Sequence, residues 1–354
     1  MAQCFITRRG GGTGNLEELP NLPTNVKFVV GNGKATITHT NPTRAYAGTY
    51  FVYKQGNTPQ NINDGTKVDF GTKTSNTLTG LSNTQYYGRY FPYNSKKQIQ
   101  TQYNSYGFKP EAFSMPKYTG QYTISGNTTK GSITMRTSGT LTLSEGIYDI
   151  FLVGGGGAGC FQTGKGGGSG YTTNELKKSL QSGNYSVTIG AGGVGKGNSG
   201  GGGNTVFGSG LFTAKGGGGG YFSGAGGSGG GAGNKTGKGG NGGSNGANGA
   251  NSGSYIGGTG QGSTTRAFKE SSNTIYAGGG GGGNGLDNNP EDNSARGLGG
   301  KGGGGIGYIR YSSTRYSRAT NGTINTGGGG GGEFGGSGYG ADGGSGITII
   351  RWGY

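Results

Sequence analysis

Near the end of the chain stand six side chains suited to recognition rather than to bond-making. Tyr308, Arg310, Tyr311, Arg315, Tyr316 and Arg318 interleave rings and guanidinium groups within residues 306–326, between two glycine blocks. Rings stack on flat sugar faces, and guanidinium groups pair bidentately with carboxylate or phosphate. Tyrosine and arginine are also enriched at binding hot spots. The stretch reads as a contacting tip that leaves the glycine-rich surroundings with these side chains outward, or as a hairpin packed on a neighbouring subunit. A second group, Phe5, Ile6, Arg8 and Arg9, reads either as part of a frayed terminus or as an attachment arm. The apolar pair would insert into a neighbour and the arginines would bond acidic groups there.

Chemistry of the bond-making kind has little to work with. The one histidine, His39, has no sequence partner for a triad or for general acid–base work. Asp287, Glu291 and Asp292 are closely spaced oxygen donors, but the twelve-residue calcium-loop pattern is missing and they read as a solvated loop. No glycine block is followed by the lysine–serine/threonine pair of a phosphate loop. Catalytic residues, metal ligands and cofactors are therefore not expected. Cys4 and Cys160 read as free thiols, not as a disulfide framework.

The elements that must position these residues are unusual, because 81 of the 94 glycines follow Pro110. Collagen is excluded, since the glycines come in blocks and not at every third position. A flexible linker remains one reading of such a segment. The other is a bundle of extended strands with three residues per turn, whose N–H and C=O groups point outward to several neighbours. Each such bond contributes only about 1 kcal/mol net, so the bundle needs a frame.

The frame is written between the glycines. Residues 140–153 (TLTLSEGIYDIFLV), 182–190 (SGNYSVTIG), 204–215 (NTVFGSGLFTAK), 274–277 (TIYA) and 345–352 (SGITIIRW) have strand signatures, and most abut a glycine block. A linker would not keep returning to strands, so the ordered bundle is favoured. Residues 174–183 (NELKKSLQSG) predict a two-turn helix with Asn174 as N-cap. Lys235, Lys238 and Asn241 recur near a period of three and predict an outer row on one glycine strand.

Residues 20–112 have ordinary composition. Strand signals at 26–30, 34–38, 49–53, 67–70, 77–81, 86–92 and 98–103, separated by Gly, Asn and Pro, predict a β-sandwich. With only 28% hydrophobic residues in the whole chain, side-chain burial alone cannot stabilise a protein of this length. A net charge of +16 suits an anionic bacterial surface or the outside of an acidic shell. No basic helix or nucleic-acid motif is present, and no apolar run is long enough to insert into a membrane. The first nine residues carry no apolar run of a secretory leader.

The succession "YDIFLVGGGGAG … YSVTIGAGG … GGGNTVFGS … FTAKGGGGG … IYAGGGGGG … GGSGITIIRW" resembles the glycine-rich domain of bacteriophage tail fibres, adhesins and glycine-rich virion proteins. A similar block occurs in the ectodomain of anaplastic lymphoma kinase. The resemblance covers residues 113–354 and implies a jelly-roll-like β-frame carrying polyglycine-II helices. The earlier segment resembles a fibronectin type III domain, with Leu81 before Tyr86 and Tyr87 matching its leucine-then-tyrosine corner. It departs from that family at His39, where a tryptophan is common.

Three parts are therefore expected: an arm at 1–19, a fibronectin III-like sandwich at 20–112 and the glycine-rich domain at 113–354. The resemblance implies a non-enzymatic bacteriophage protein on the virion exterior. The expected role is a tail-fibre or baseplate adhesin, with a capsid-decoration or head-fibre protein as the alternative. Expected partners are other virion proteins, further copies of the chain, with a trimer favoured, and a bacterial surface glycan or protein.

Overall fold

Strands form where β-branched and aromatic residues alternate or run together, and they stop where glycine or a turn residue takes over. A computed structural model describes residues 18–197, 199–221, 224–233, 238–241, 248–251, 265–283, 297–310, 316–333 and 338–354. These are all-β, with a 3-10 turn at Ala267–Lys269 and no α-helix among the described residues. The chain divides into two units, Met1–Ala112 and Phe113–Tyr354.

The first unit holds β1 (Thr24–Gly31), β2 (Lys34–Thr40), β3 (Gly48–Gln55), β4 (Thr66–Gly71), β5 (Ser75–Leu78), β6 (Tyr86–Tyr93) and β7 (Tyr106–Phe108). One antiparallel sheet runs β1-β2-β5 and the other β4-β3-β6-β7. Their inward faces share a core that includes Ile37, Phe51, Phe70, Leu78, Tyr90 and Phe108. The segment 98–103, expected as a strand, makes only an isolated bridge from Ile99 to Tyr93. The last strand lies further on, at β7. The buried Tyr86 hydroxyl accepts the Ser82 N–H at 3.2 Å, beside buried Leu81. That is the geometry of a tyrosine corner.

His39 occupies the core as a polar filler. Its ring lies 5.9 Å from Phe70, its Nδ1 is 2.9 Å from the Tyr90 hydroxyl and its Nε2 is 3.0 Å from Asn41 Oδ1. An amide oxygen only accepts, so Nε2 carries the proton and Nδ1 accepts from Tyr90. Arg89 is also buried, and its guanidinium donates to the carbonyls of Pro59, Gln60 and Thr101 while stacking 3.5 Å from the Tyr103 ring centroid. One side chain thus pins two loops to β6.

The second unit builds the frame. One sheet is ordered β13-β12-β19-β10-β9, from β9 (Tyr122–Gly126), β10 (Gly131–Met135), β12 (Gly146–Val153), β13 (Thr172–Leu180) and β19 (Ile347–Trp352). The other is β16-β15-β14-β11-β8, from β8 (Lys117–Tyr118), β11 (Gly139–Leu143), β14 (Gly183–Thr188), β15 (Thr205–Phe207) and β16 (Phe212–Ala214). Both are antiparallel, and they meet in one jelly-roll-like core containing Ile133, Leu141, Tyr148, Ile150, Phe207, Ile350 and Trp352.

β12 reads as a continuous apolar run because both of its faces are covered. Tyr148, Ile150 and Leu152 enter the shared core, while Phe151 and Val153 pack under Ala267, Phe268 and Ala277. Asp149 interrupts the run, buried and paired with Arg351 of β19 at 2.9 Å. Its other oxygen accepts the Lys177 N–H at 2.8 Å, where β13 bulges. The helix expected at 174–183 is therefore strand β13 and the turn after it. Asn174 does bond main-chain groups, but those of Arg266 and Phe268, far along the chain. Residues 274–277 likewise give only a bridge, Arg266 to Ile275.

Candidate functional site

Glycine strands leave the frame after β12, β14 and β16 and re-enter it at β13, β15 and β19, and their bonding repeats every third residue. Along 154–160, the N–H groups of Gly154, Gly157 and Cys160 donate to Tyr171, Gly168 and Lys165 at 2.8–3.0 Å. Gly155 and Ala158 donate to Gly203 and Gly200, and Gly156 and Gly159 to Gly344 and Ala341, all at 2.9 Å. Returning bonds come from three more strands: Gly217 and Gly220 to the carbonyls of Gly155 and Ala158, Gly193 to Gly156, and Gly330 to Gly157. Successive residues thus face different neighbours, as three-residue-per-turn geometry requires. The strand has six neighbours, donating to three and accepting from three. These are polyglycine-II strands in hexagonal contact.

Close approach explains the composition. A Cβ added to Gly155, Gly156 or Gly157 would lie 2.0–2.1 Å from the carbonyl oxygen of Ala191, Gly328 or Gly218. No side chain fits at those three positions, so the interior is main chain with only small side chains, Ala158, Ser169, Ser228 and Ala232, buried among it. Larger side chains stand on the flanks and at the turns between strands. Lys238 and Asn241, two of the expected outer row, are indeed exposed around buried Gly240, while Lys235 lies outside the described residues.

Turns join the glycine strands at both ends of the lattice, and one end lies away from the frame. A strand of seven residues at ~3 Å per residue carries this end about 20 Å from the β-sheets. There Tyr221, Tyr316 and Tyr339 are exposed by 42%, 51% and 49%. Arg318 lies 5.7 Å from the Tyr316 ring centroid, and Lys196 Nζ lies 5.9 Å from that of Tyr339, to which it is bridged. These are cation–ring neighbours on a rigid base.

The six residues of the expected tip separate here. Tyr308 is buried, its N–H donating to Gly332 at 2.8 Å, so it is a root and not a contact. Its ring centroid supports that of Tyr316 at 6.0 Å. Ile306 and Thr320 stay in the lattice, joined by the Thr320 N–H to the Ile306 carbonyl at 2.9 Å. Beyond Tyr308, β17 (Ile309–Arg310) and β18 (Tyr316–Ser317) pair antiparallel, with Ile309 itself buried. Tyr316 and Arg318 are exposed. Tyr311 and Arg315, the acidic residues Asp287, Glu291 and Asp292, and the arm residues Phe5, Ile6, Arg8 and Arg9 lie outside the described residues, as does the side chain of Arg310.

Sequence reasoning passed over Glu333. This buried carboxyl closes the strand 327–333, and its Oε2 accepts the Ala319 N–H at 3.0 Å, one residue past Arg318. Its Oε1 is buried with no partner among the described residues. Burial pushes its pKa above the usual carboxylate range, against the Ala319 N–H and the Arg318 charge, which pull it down. A lone acid directly after six glycines was the available signal. Lys165 lies at the same end, and burial lowers the pKa of its ammonium group. Cys160, in the adjoining turn, is a buried free thiol. Among the described residues no group of three His, Cys, Asp or Glu side chains could hold a metal, and no helix is long and apolar enough to cross a membrane.

Comparison with known proteins gives one family. Residues 128–353 match the glycine-rich domain. No curated protein matches the chain. Among solved structures, a computer-redesigned β-sandwich protein is similar at 28% identity, over 25% of this chain and 94% of its own, with a TM-score of 0.22.

Proposed function

Since the chain belongs to the glycine-rich domain family, we propose that it is a non-enzymatic display protein of a bacteriophage virion exterior, a tail-fibre or baseplate adhesin. Its far lattice end contacts the host surface, and its N-terminal arm and sandwich attach it to other virion proteins. The observation that carries this reading is the division of labour in the lattice. Main chain with a few alanine and serine side chains fills the interior, and exposed Tyr316 and Tyr339, each beside a cation, stand at the end remote from the frame. Preorganised rings lose little entropy on binding, which favours a rigid lattice over a linker beneath them. The charge of +16 supports an anionic cell envelope as the target.

The test is binding of the purified chain to host cells. The Tyr316→Ala/Tyr339→Ala variant should bind about 2 kcal/mol more weakly, roughly thirtyfold, with its melting temperature unchanged. Undiminished binding by the variant would remove the tip from the contact. If the wild type ignores cells and antibody against residues 113–354 labels capsids in micrographs, the capsid-decoration reading replaces this one.

A further inference from the structure

We propose that the outer edge of β9 is a self-association surface, on which β9 of a second copy of this chain pairs antiparallel about Ile124. Natural edge strands are kept from pairing by shortness, charge, proline or bulges. At the opposite edge of the same sheet, β13 carries Glu175, Lys177 and Lys178 and is bulged against β12. In the companion sheet the edge strands β8 and β16 are two and three residues long. In the first unit β1 and β4 each carry lysine and a register shift, and β5 and β7 are four and three residues long. β9, Tyr-Thr-Ile-Ser-Gly, has none of these devices. It is uncharged, pairs with β10 in unbroken register and is exposed along its whole length.

Its free hydrogen-bonding groups can be located by parity. Arg136 N–H donates to Gln121, and Asn127 N–H to Lys130, at the two ends of the β9–β10 ladder. Antiparallel pairs alternate between bonded and non-bonded. The odd-numbered residues, Thr123 and Ser125, therefore bond inward to Thr134 and Ser132. Tyr122, Ile124 and Gly126 turn their N–H and C=O groups outward. A twofold axis at Ile124 sets Ile124 opposite its own copy and Tyr122 opposite Gly126, so every outward donor meets an outward acceptor.

The side chains agree with this register. Tyr122 and Ile124 lie opposite Met135 and Ile133, which are fully buried in the core, yet are themselves 42% and 37% exposed. The core face thus runs past the end of the sheet, and a second Ile124 would continue it. A chain of charge +16 repels its copies, and β9 adds no charged side chain of its own to that repulsion, although Arg136 reaches the Thr123 hydroxyl at 3.3 Å. The symmetry is twofold, in place of the trimer expected from the sequence.

Sedimentation of the full chain at micromolar concentration tests this, and a dimer is expected. Ile124→Pro removes an outward N–H without touching the β9–β10 ladder, and Ile124→Lys places a charge on the axis. Both should sediment as monomers with the wild-type melting temperature. A wild type that is monomeric or trimeric overturns the proposal, as does a dimer that survives either folded variant.

Discussion

Phe51 and Gly280 are both buried, and they show two ways of making a protein interior. Phe51 belongs to a sandwich core of rings, with Tyr90 at 5.0 Å and Phe70 at 5.8 Å between centroids. Gly280 belongs to an interior made almost wholly of main chain, where its N–H donates to Gly167 at 2.9 Å and its carbonyl accepts from Gly231 at 2.8 Å. The first interior is stabilised by area removed from water, the second by many modest bonds made together. They should therefore fail differently. A ring core can adjust by moving or trimming a side chain, whereas a lattice can adjust only by moving backbone.

The largest effect is expected at Gly280→Val. Its Cβ would come 2.0 Å from the Gly330 carbonyl oxygen, and no side chain there can yield. A loss of about 4 kcal/mol or more in denaturant melts, with lattice amides losing their protection from hydrogen exchange, is expected. Stability near that of the wild type would mean that the strands are not packed in this way. Gly88→Ala poses the same insult to the sandwich, with the new Cβ 2.2 Å from Phe51 Cζ. A cost of about 1–3 kcal/mol is expected, and Phe51→Leu in the same chain should recover part of it. Failure of that rescue would erase the distinction between the two interiors. Gly197→Ala is the milder control, at a φ of +77° with nothing within 4 Å of the added Cβ. Only the left-handed backbone opposes it, at about 1–2 kcal/mol.

The frame was legible because its strands keep their β-branched and aromatic runs up to the first glycine, as at Val153 and before Ile347. The period-three bonding was legible as a possibility of polyglycine geometry, but which strand neighbours which was not. That Gly156 bonds Gly344 is a fact of topology that no local pattern carries. β13 was misread for the same reason. Asn174 and the lysines have helical credentials, and what overrides them is β12 on one side and residues 266–268 on the other. At the tip, Tyr308 and Tyr316 look alike in sequence. Tyr308 is bonded to Gly332 of the lattice and buried, whereas Tyr316 sits on the paired strand β18 and is exposed, a difference that no local pattern carries. Glu333 was overlooked because a single acid among glycines looks like solvated surface, while its carboxyl in fact holds Ala319.

The smallest expected effects are those of pH, and they oppose each other in the two interiors. Burial lowers the pKa of His39, against the hydrogen bond to Asn41 that raises it. Its folded value lies below the model-peptide value of 6.5, so the unfolded chain binds the proton first. Stability from the neutral ring is complete above that value and is lost as pH falls through the lowered one. Protonation would also place a donor at Nδ1, where the Tyr90 hydroxyl now donates. Glu333 has the reverse sign. Its folded pKa is raised above 4.5, so its contribution is complete below that pH and declines as pH rises through the raised value. Acidification should therefore loosen the sandwich around His39 and tighten the lattice end around Glu333. With one histidine in the chain, its imidazole NMR signals are unambiguous, and their titration midpoint should fall below 6.5. Protection of the Ala319 amide, corrected for intrinsic exchange, should fall as pH rises from 4.5, and Glu333→Gln should flatten that slope. A histidine titrating at or above 6.5, or an Ala319 protection that rises with pH, would show that burial does not govern these groups.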